Sequence, residues 1–189
     1  MFDSTSAAIA RYSSPRLMAV LLLAAAGFLG LFSFSASPLS NAEMTRISGG
    51  EGFLDLKPFY SAQEAFAALG RYGTEGRKLY RRFLVADFAF PLAYGLGLAF
   101  LLTRTARAVG GSGTRWLRAN LLPLGIAFFD YVENLCILGM LNVYPEISLP
   151  LGSLAGIATL SKHLLTFAAF LCLASGGLVM LVRRLGHED

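Results

Sequence analysis

Leu122 to Leu141 reads LPLGIAFFDYVENLCILGML. The stretch is apolar enough to cross a bilayer, yet Asp130, Glu133 and Asn134 interrupt its middle and far half. Residues three and four apart share one face of a helix, so these polar groups point roughly one way. Ionisable groups inside a hydrocarbon-spanning helix are costly and turn towards a bundle interior, a cavity or a partner. A helix of this kind needs other apolar helices around it.

Three further runs supply them. Leu17–Phe34, LMAVLLLAAAGFLGLFSF, holds 18 residues without a charge behind a polar arm carrying Arg11 and Arg16. A signal peptide shares that plan, but its apolar core is usually about 7–15 residues long. The run therefore reads as a membrane helix. Phe83–Leu102, FLVADFAFPLAYGLGLAFLL, is the second, and the fourth occupies roughly Gly152 to Val182. The sequence predicts an all-α, four-helix membrane bundle in a single domain, 1–189. Its spans fall at about 17–36, 83–103, 119–141 and 152–182. An outer loop covers 37–82, an inner loop 104–118 and a second outer loop 142–151.

Composition agrees. Of 189 residues, 55% are hydrophobic and 15% charged, with a formal net charge of +4, whereas soluble domains carry about 25% charged residues. The positive charge does not signal nucleic acid, because the arginines lie between apolar runs and form no stripe with interleaved aromatics. They set orientation instead. Arg11 and Arg16, then Arg104, Arg107, Arg115 and Arg118, then Arg183 and Arg184 all fall on one side, and 142–150 has no basic residue. The expectation is a multi-pass protein of the bacterial inner membrane with both termini cytoplasmic. The long loop opposes this with seven basic residues, but five acidic ones accompany them. Cys136 and Cys172 lie in apolar runs as small packing residues, and His163 and His187 are the only histidines. No metal or other cofactor is expected.

The loop at 37–82 opens with turn chemistry and then becomes ordered. Ser61-Ala62-Gln63-Glu64 is a capping box, predicting a short helix from Ala62 to Leu69 that stops at Gly70. Its Ala65, Phe66 and Leu69 form an apolar side expected to lie on the bilayer surface. Thr74 should begin a helix running unbroken into the second span, bent near Pro91. Along it Arg77, Tyr80, Leu84, Asp87, Pro91 and Tyr94 make one stripe. Gly110-Gly111-Ser112-Gly113 reads as a flexible turn, and no P-loop lysine follows it. Gly152 and Gly156 have the spacing that lets helices approach closely.

Depth decides which polar groups meet. At 1.5 Å per residue, Asp87 lies roughly 25 Å from Arg104, and Glu133 with Asn134 about 22 Å from Arg118. Asp130 falls nearer the middle. Lys162, roughly 30 Å from Arg183, belongs at the outer rim unless its helix tilts. Tyr94 and Tyr131 are close enough in depth to contribute hydroxyls, with Arg77, Tyr80 and Arg81 as a roof. His163 reads as a rim residue.

Two readings of the cluster stand. In one, Lys162, Arg77 and the Asn134 amide neutralise and hydrogen-bond the acids and fix helix packing. In the other, Asp87 and Glu133 act as acid and base on a lipophilic molecule, with Lys162 stabilising developing negative charge.

The motifs Gly76-Arg77-Lys78-Leu79-Tyr80, Asp87 through Phe90-Pro91 to Tyr94, Asp130-Tyr131-Val132-Glu133-Asn134 and Ser161-Lys162 resemble those of a family of small bacterial four-span membrane proteins. The resemblance covers most of the chain from about Phe59 onward. It implies the fold and carries no chemistry. The layout is also similar to that of the EXPERA group, which includes sterol isomerases and a sterol-binding receptor. That likeness is of architecture only and transfers no residue.

The resulting expectation is a non-catalytic accessory or assembly subunit of a larger membrane complex. Its partners would be membrane lipids and either other membrane subunits or further copies of itself. Ala26/Gly30 and Gly152/Gly156 would be the docking faces. The alternative is an intramembrane acid–base enzyme or binding protein for a lipid, isoprenoid or sterol-like molecule.

Overall fold

The computed structural model describes residues 2–34, 36–110 and 115–185. Among these, every element is helical: α1 (Phe2–Tyr12), α2 (Pro15–Ser33), α3 (Asn41–Ser48), α4 (Ala62–Arg71), α5 (Gly73–Asp87), α6 (Phe90–Gly110), α7 (Leu122–Val143) and α8 (Leu149–Leu185). Short 3-10 turns cover Leu54–Leu56 and Arg115–Leu121. Four stretches are long and apolar enough to cross a membrane: Pro15–Ser33, Gly73–Gly110, Trp116–Val143 and Leu149–Leu185. The expected turn at Gly111, Ser112 and Gly113 lies outside the described residues.

α2 starts where Ser14 accepts a hydrogen bond from the Leu17 N–H at 3.1 Å, with Pro15 in the first turn. That cap satisfies a donor the helix cannot, and proline has none to lose there. Its 19 residues rise about 28 Å, near the ~30 Å of a hydrocarbon core. α7 and α8 form the most extensive helix pair, and α6 packs on both. α2 lies on α6 and buries only Ala25. Gly97 permits that approach, since a Cβ there would sit 2.9 Å from Leu22. α2 and α8 scarcely touch.

The capping box forms as expected: Glu64 N–H donates to Ser61 Oγ, and the Ser61 N–H donates to Glu64 Oε2 at 2.7 Å. α4 does not lie on a surface, however. Ala65, Phe66 and Leu69 are buried against Leu79, Tyr80, Ile137 and Met140. The apolar face that looked interfacial is core, because α4 crosses α8 at Gly152 and Gly156. A Cβ at Gly152 would stand 2.7 Å from Ala62 Cα, and one at Gly156 would collide with the Tyr60 carbonyl oxygen. The chain thus fills its own Gly152/Gly156 face, while Ala26 on α2 stays exposed.

α4 and α5 meet at Gly73, whose φ of +59° suits glycine, so α5 begins one residue before Thr74. The expected unbroken helix is interrupted between Asp87 and Phe90. Pro91 has no N–H to bond the residue-87 carbonyl, and its ring crowds that carbonyl. Within the break, Tyr131 O–H donates to the Phe88 carbonyl at 2.9 Å. At the opposite end the predicted polar arm is a helix, strapped down by the Arg118–Asp3 ion pair at 2.7 Å and by Arg107 donating to the Ala10 carbonyl at 2.8 Å.

Candidate functional site

A cavity of about 770 Å³ lies between α2, α6 and α8, beneath α3, the Leu54–Leu56 turn and α5. Leu29, Phe32, Phe53, Phe83, Phe90, Leu98, Ile126 and Phe170 make most of its wall apolar. Into that apolar space come Asp55, Asp87, Tyr94, Asp130, Lys162 and His163. Aromatic packing shapes the upper wall: Phe53 stacks on Phe83 with ring centres 4.1 Å apart, and Phe90 meets Tyr94 edge-on at 4.8 Å. Each such pair contributes about 0.5–1.5 kcal/mol beyond its burial.

Lys162 is the hub. Its Nζ is 2.9 Å from Asp130 Oδ1 and 2.6 Å from Glu133 Oε2. Tyr94 O–H donates to the other Asp130 oxygen at 2.8 Å. Glu133 is fully buried behind the lysine, and its Oε1 accepts from Tyr60 O–H at 3.1 Å and from Thr159 Oγ1. An ammonium this deep is tolerated because two carboxylates compensate it and because each carboxylate has further donors.

Asp87 and Glu133, the acid and base of the second reading, are not in contact with each other. Asp87 and Glu133 have separate partners: Asp87 accepts from the Asn134 amide at 2.6 Å, and Lys162 pairs Glu133 with Asp130. Lys162 is not a rim residue either; its side chain is 12% exposed. Counting from Arg183 misplaced it because α8 has 37 residues and rises about 55 Å, well beyond a bilayer core. Its basic end therefore does not mark a fixed depth.

Arg77 lies outside the cluster. It donates to the Leu69 carbonyl at 3.0 Å and stacks over Tyr144 at 4.4 Å, joining α4 to α5. Arg81 likewise holds the Leu141 carbonyl at 2.5 Å. Tyr80 is fully buried and donates to Asp55 at 3.1 Å, while Tyr131 serves the helix break.

Sequence reasoning missed Asp55, Tyr60 and Thr159. Thr159 had a signal, three residues before Lys162 on the same helix face. Asp55 sits alone in the apolar run Phe53-Leu54-Asp55-Leu56, an unusual place for a solvated loop acid. Burial pushes its carboxyl above the usual carboxylate range; Lys162 opposes the shift and Asp130 adds to it. Burial, reinforced by Glu133, also holds the Tyr60 hydroxyl protonated. His163, expected at a rim, faces the cavity, with Nδ1–H donating to the Thr159 carbonyl at 2.8 Å.

Carboxyl groups outnumber cations here. Asp55, Asp87, Asp130 and Glu133 share one ammonium, and no cation among the described residues comes within ion-pair distance of Asp55 or Asp87. Among the described residues no group of three or more metal-ligating side chains is arranged to hold an ion. What the arrangement can do is bind a molecule with a large apolar body and a small polar head, and hold protons beside it. No family model, curated protein or solved structure matches this chain.

Proposed function

We propose that the protein is a multi-pass membrane protein whose chamber binds a lipid-soluble molecule within the bilayer. The observation that carries this reading is the roughly 770 Å³ apolar cavity with Asp55, Asp87, Asp130 and Lys162 facing into it. Ligand pockets are typically about 300–1,000 Å³, mostly apolar, with a few placed polar groups. A cluster that served only packing would have no use for the space.

The arginine distribution favours a cytoplasmic side for both termini and the Arg104–Arg118 connection, which in a bacterium would be that of the inner membrane. The chamber then lies in the outer half of the bundle. A second reading, acid–base chemistry on the bound molecule, is favoured by Asp130 and Lys162 lining the cavity 2.9 Å apart as a proton acceptor and donor. The accessory-subunit expectation is not needed to explain the buried charges; of its two docking faces, Gly152/Gly156 is filled by Tyr60 and Ala62, and Ala26 on α2 stays exposed.

The test is native mass spectrometry of protein gently extracted from its own membranes. The wild-type chain should carry a lipid-sized adduct at one per chain. Leu98→Trp, which fills the cavity from α6, should lose it while remaining folded. A bare wild-type chain, or an adduct indifferent to Leu98→Trp, would refute the proposal.

A further inference from the structure

The chamber has a mouth and a polarity, and both describe its ligand. α2 contributes Leu29 and Phe32 to one wall, and α8 contributes His163 and Phe170 to the other, yet these helices scarcely pack on each other. Leu29 is 53% exposed and Phe170 56%. Both line the cavity and are more than half exposed, so the gap between α2 and α8 is rimmed by apolar side chains. An opening of that composition, on the flank of two helices suited to a bilayer, meets acyl chains and not water.

The polar lining consists mainly of acceptors. Asp87 is 4% exposed and lines the chamber, and among the described residues only one of its oxygens is taken, by Asn134. Asp55 accepts from Tyr80 and has no cationic partner among the described residues. His163 donates through Nδ1, so in its neutral form Nε2 is an acceptor. The one ammonium is already shared by Asp130 and Glu133. Against these stand the Ser33 hydroxyl, the third N–H of Lys162 and the amide N–H2 of Asn41, whose Oδ1 accepts from the Phe53 N–H at 2.8 Å. An anionic head would meet three carboxyl groups in low dielectric with no free cation to answer it.

Resting on the binding reading above, we propose that the ligand is a membrane-dissolved amphiphile whose head donates hydrogen bonds, a hydroxyl or an amine. It enters sideways between α2 and α8, and Asp55 and Asp87 are the residues that select its head. Anionic amphiphiles of the same body are excluded.

The probes are octadecylamine, octadecanol and octadecanoate, offered as an equimolar mixture to the full chain in phosphatidylcholine nanodiscs and read by native mass spectrometry. The amine and the alcohol should each exceed the carboxylate by at least tenfold on the wild type. Asp55→Asn with Asp87→Asn should reduce that ratio to threefold or less, with folding verified by thermal unfolding. Equal occupancy by the carboxylate on the wild type, or a preference untouched by the double substitution, overturns the head assignment while leaving a binding chamber. Failure of all three probes to bind overturns both proposals. For the route, Leu29→Trp should slow probe uptake at least tenfold relative to Leu56→Trp on the covering turn; equal rates, or slowing by Leu56→Trp alone, overturn lateral entry.

Discussion

Two polar clusters buried among the described residues are built on opposite principles. Near the α1 end, Asn120 donates to Thr103 Oγ1 at 3.0 Å and to the Ser6 carbonyl at 3.1 Å, while Ser6 Oγ donates to the Leu117 carbonyl at 3.1 Å. All three residues are buried and uncharged. A hollow beside that end, between α6 at Leu102 and Val109, Trp116 and α8 at Gly176, is about 20 Å³, about one water's room. That cluster is a latch, holding α1 against the Arg115–Leu121 turn and α6. The other cluster is charged, unbalanced and open to a large apolar space. Polar burial alone therefore says little; the space beside it separates a fastening from a site.

Substitutions can break or sharpen this contrast. The largest effect is expected from Lys162→Met, which leaves Asp130 and Glu133 buried without their cation and should cost about 3–5 kcal/mol. Thermal unfolding in detergent measures it, and an unshifted melt would mean that the lysine does not compensate the acids. Gly156→Ala drives a methyl into the Tyr60 carbonyl and should cost about 1–3 kcal/mol by overpacking. The same melt shows whether α8 meets the Tyr60–Ala62 segment there; a neutral result would put that segment elsewhere.

Thr103→Val removes the acceptor for Asn120 and should cost about 1 kcal/mol, with ligand retention unchanged. Loss of ligand in that variant would erase the distinction between latch and site. The smallest change in stability, below about 1 kcal/mol, belongs to Asp87→Asn, because an amide oxygen can still accept from Asn134. Yet this variant should alter which head groups the chamber retains, read by mass spectrometry of the bound molecules. A large loss of stability with retention unaltered would make Asp87 a fastening too.

Most of the frame was legible in the sequence because long apolar runs and the Ser61–Glu64 capping box are local signals. Asp130, Glu133 and Asn134 were legible as a buried set because they interrupt one such run. α1 and α3 were not, since short amphipathic helices depend on what they dock against. The break at Asp87–Phe90 was visible only as a bend, because the chain does not announce that Tyr131 will take up the Phe88 carbonyl. The partners within the site were the hardest to see. Asp55 and Tyr60 arrive from a loop folded back over the helices, and Lys162 reaches Asp130 only through the register of a helix longer than a bilayer is thick. Counting residues from a basic boundary assumes that the boundary marks a depth, and in α8 it does not.

The most direct measurement is an experimental density map, by electron cryomicroscopy or crystallography, of the protein extracted gently from its native membranes. The account predicts elongated non-protein density in the chamber. Its narrow end should lie within hydrogen-bonding distance of Asp87 or Asp55, and its body should run towards the gap between Leu29 and Phe170. A chamber collapsed onto its own side chains, or one holding only water around a closed Asp87–Asn134 and Lys162–Asp130 network, would contradict it.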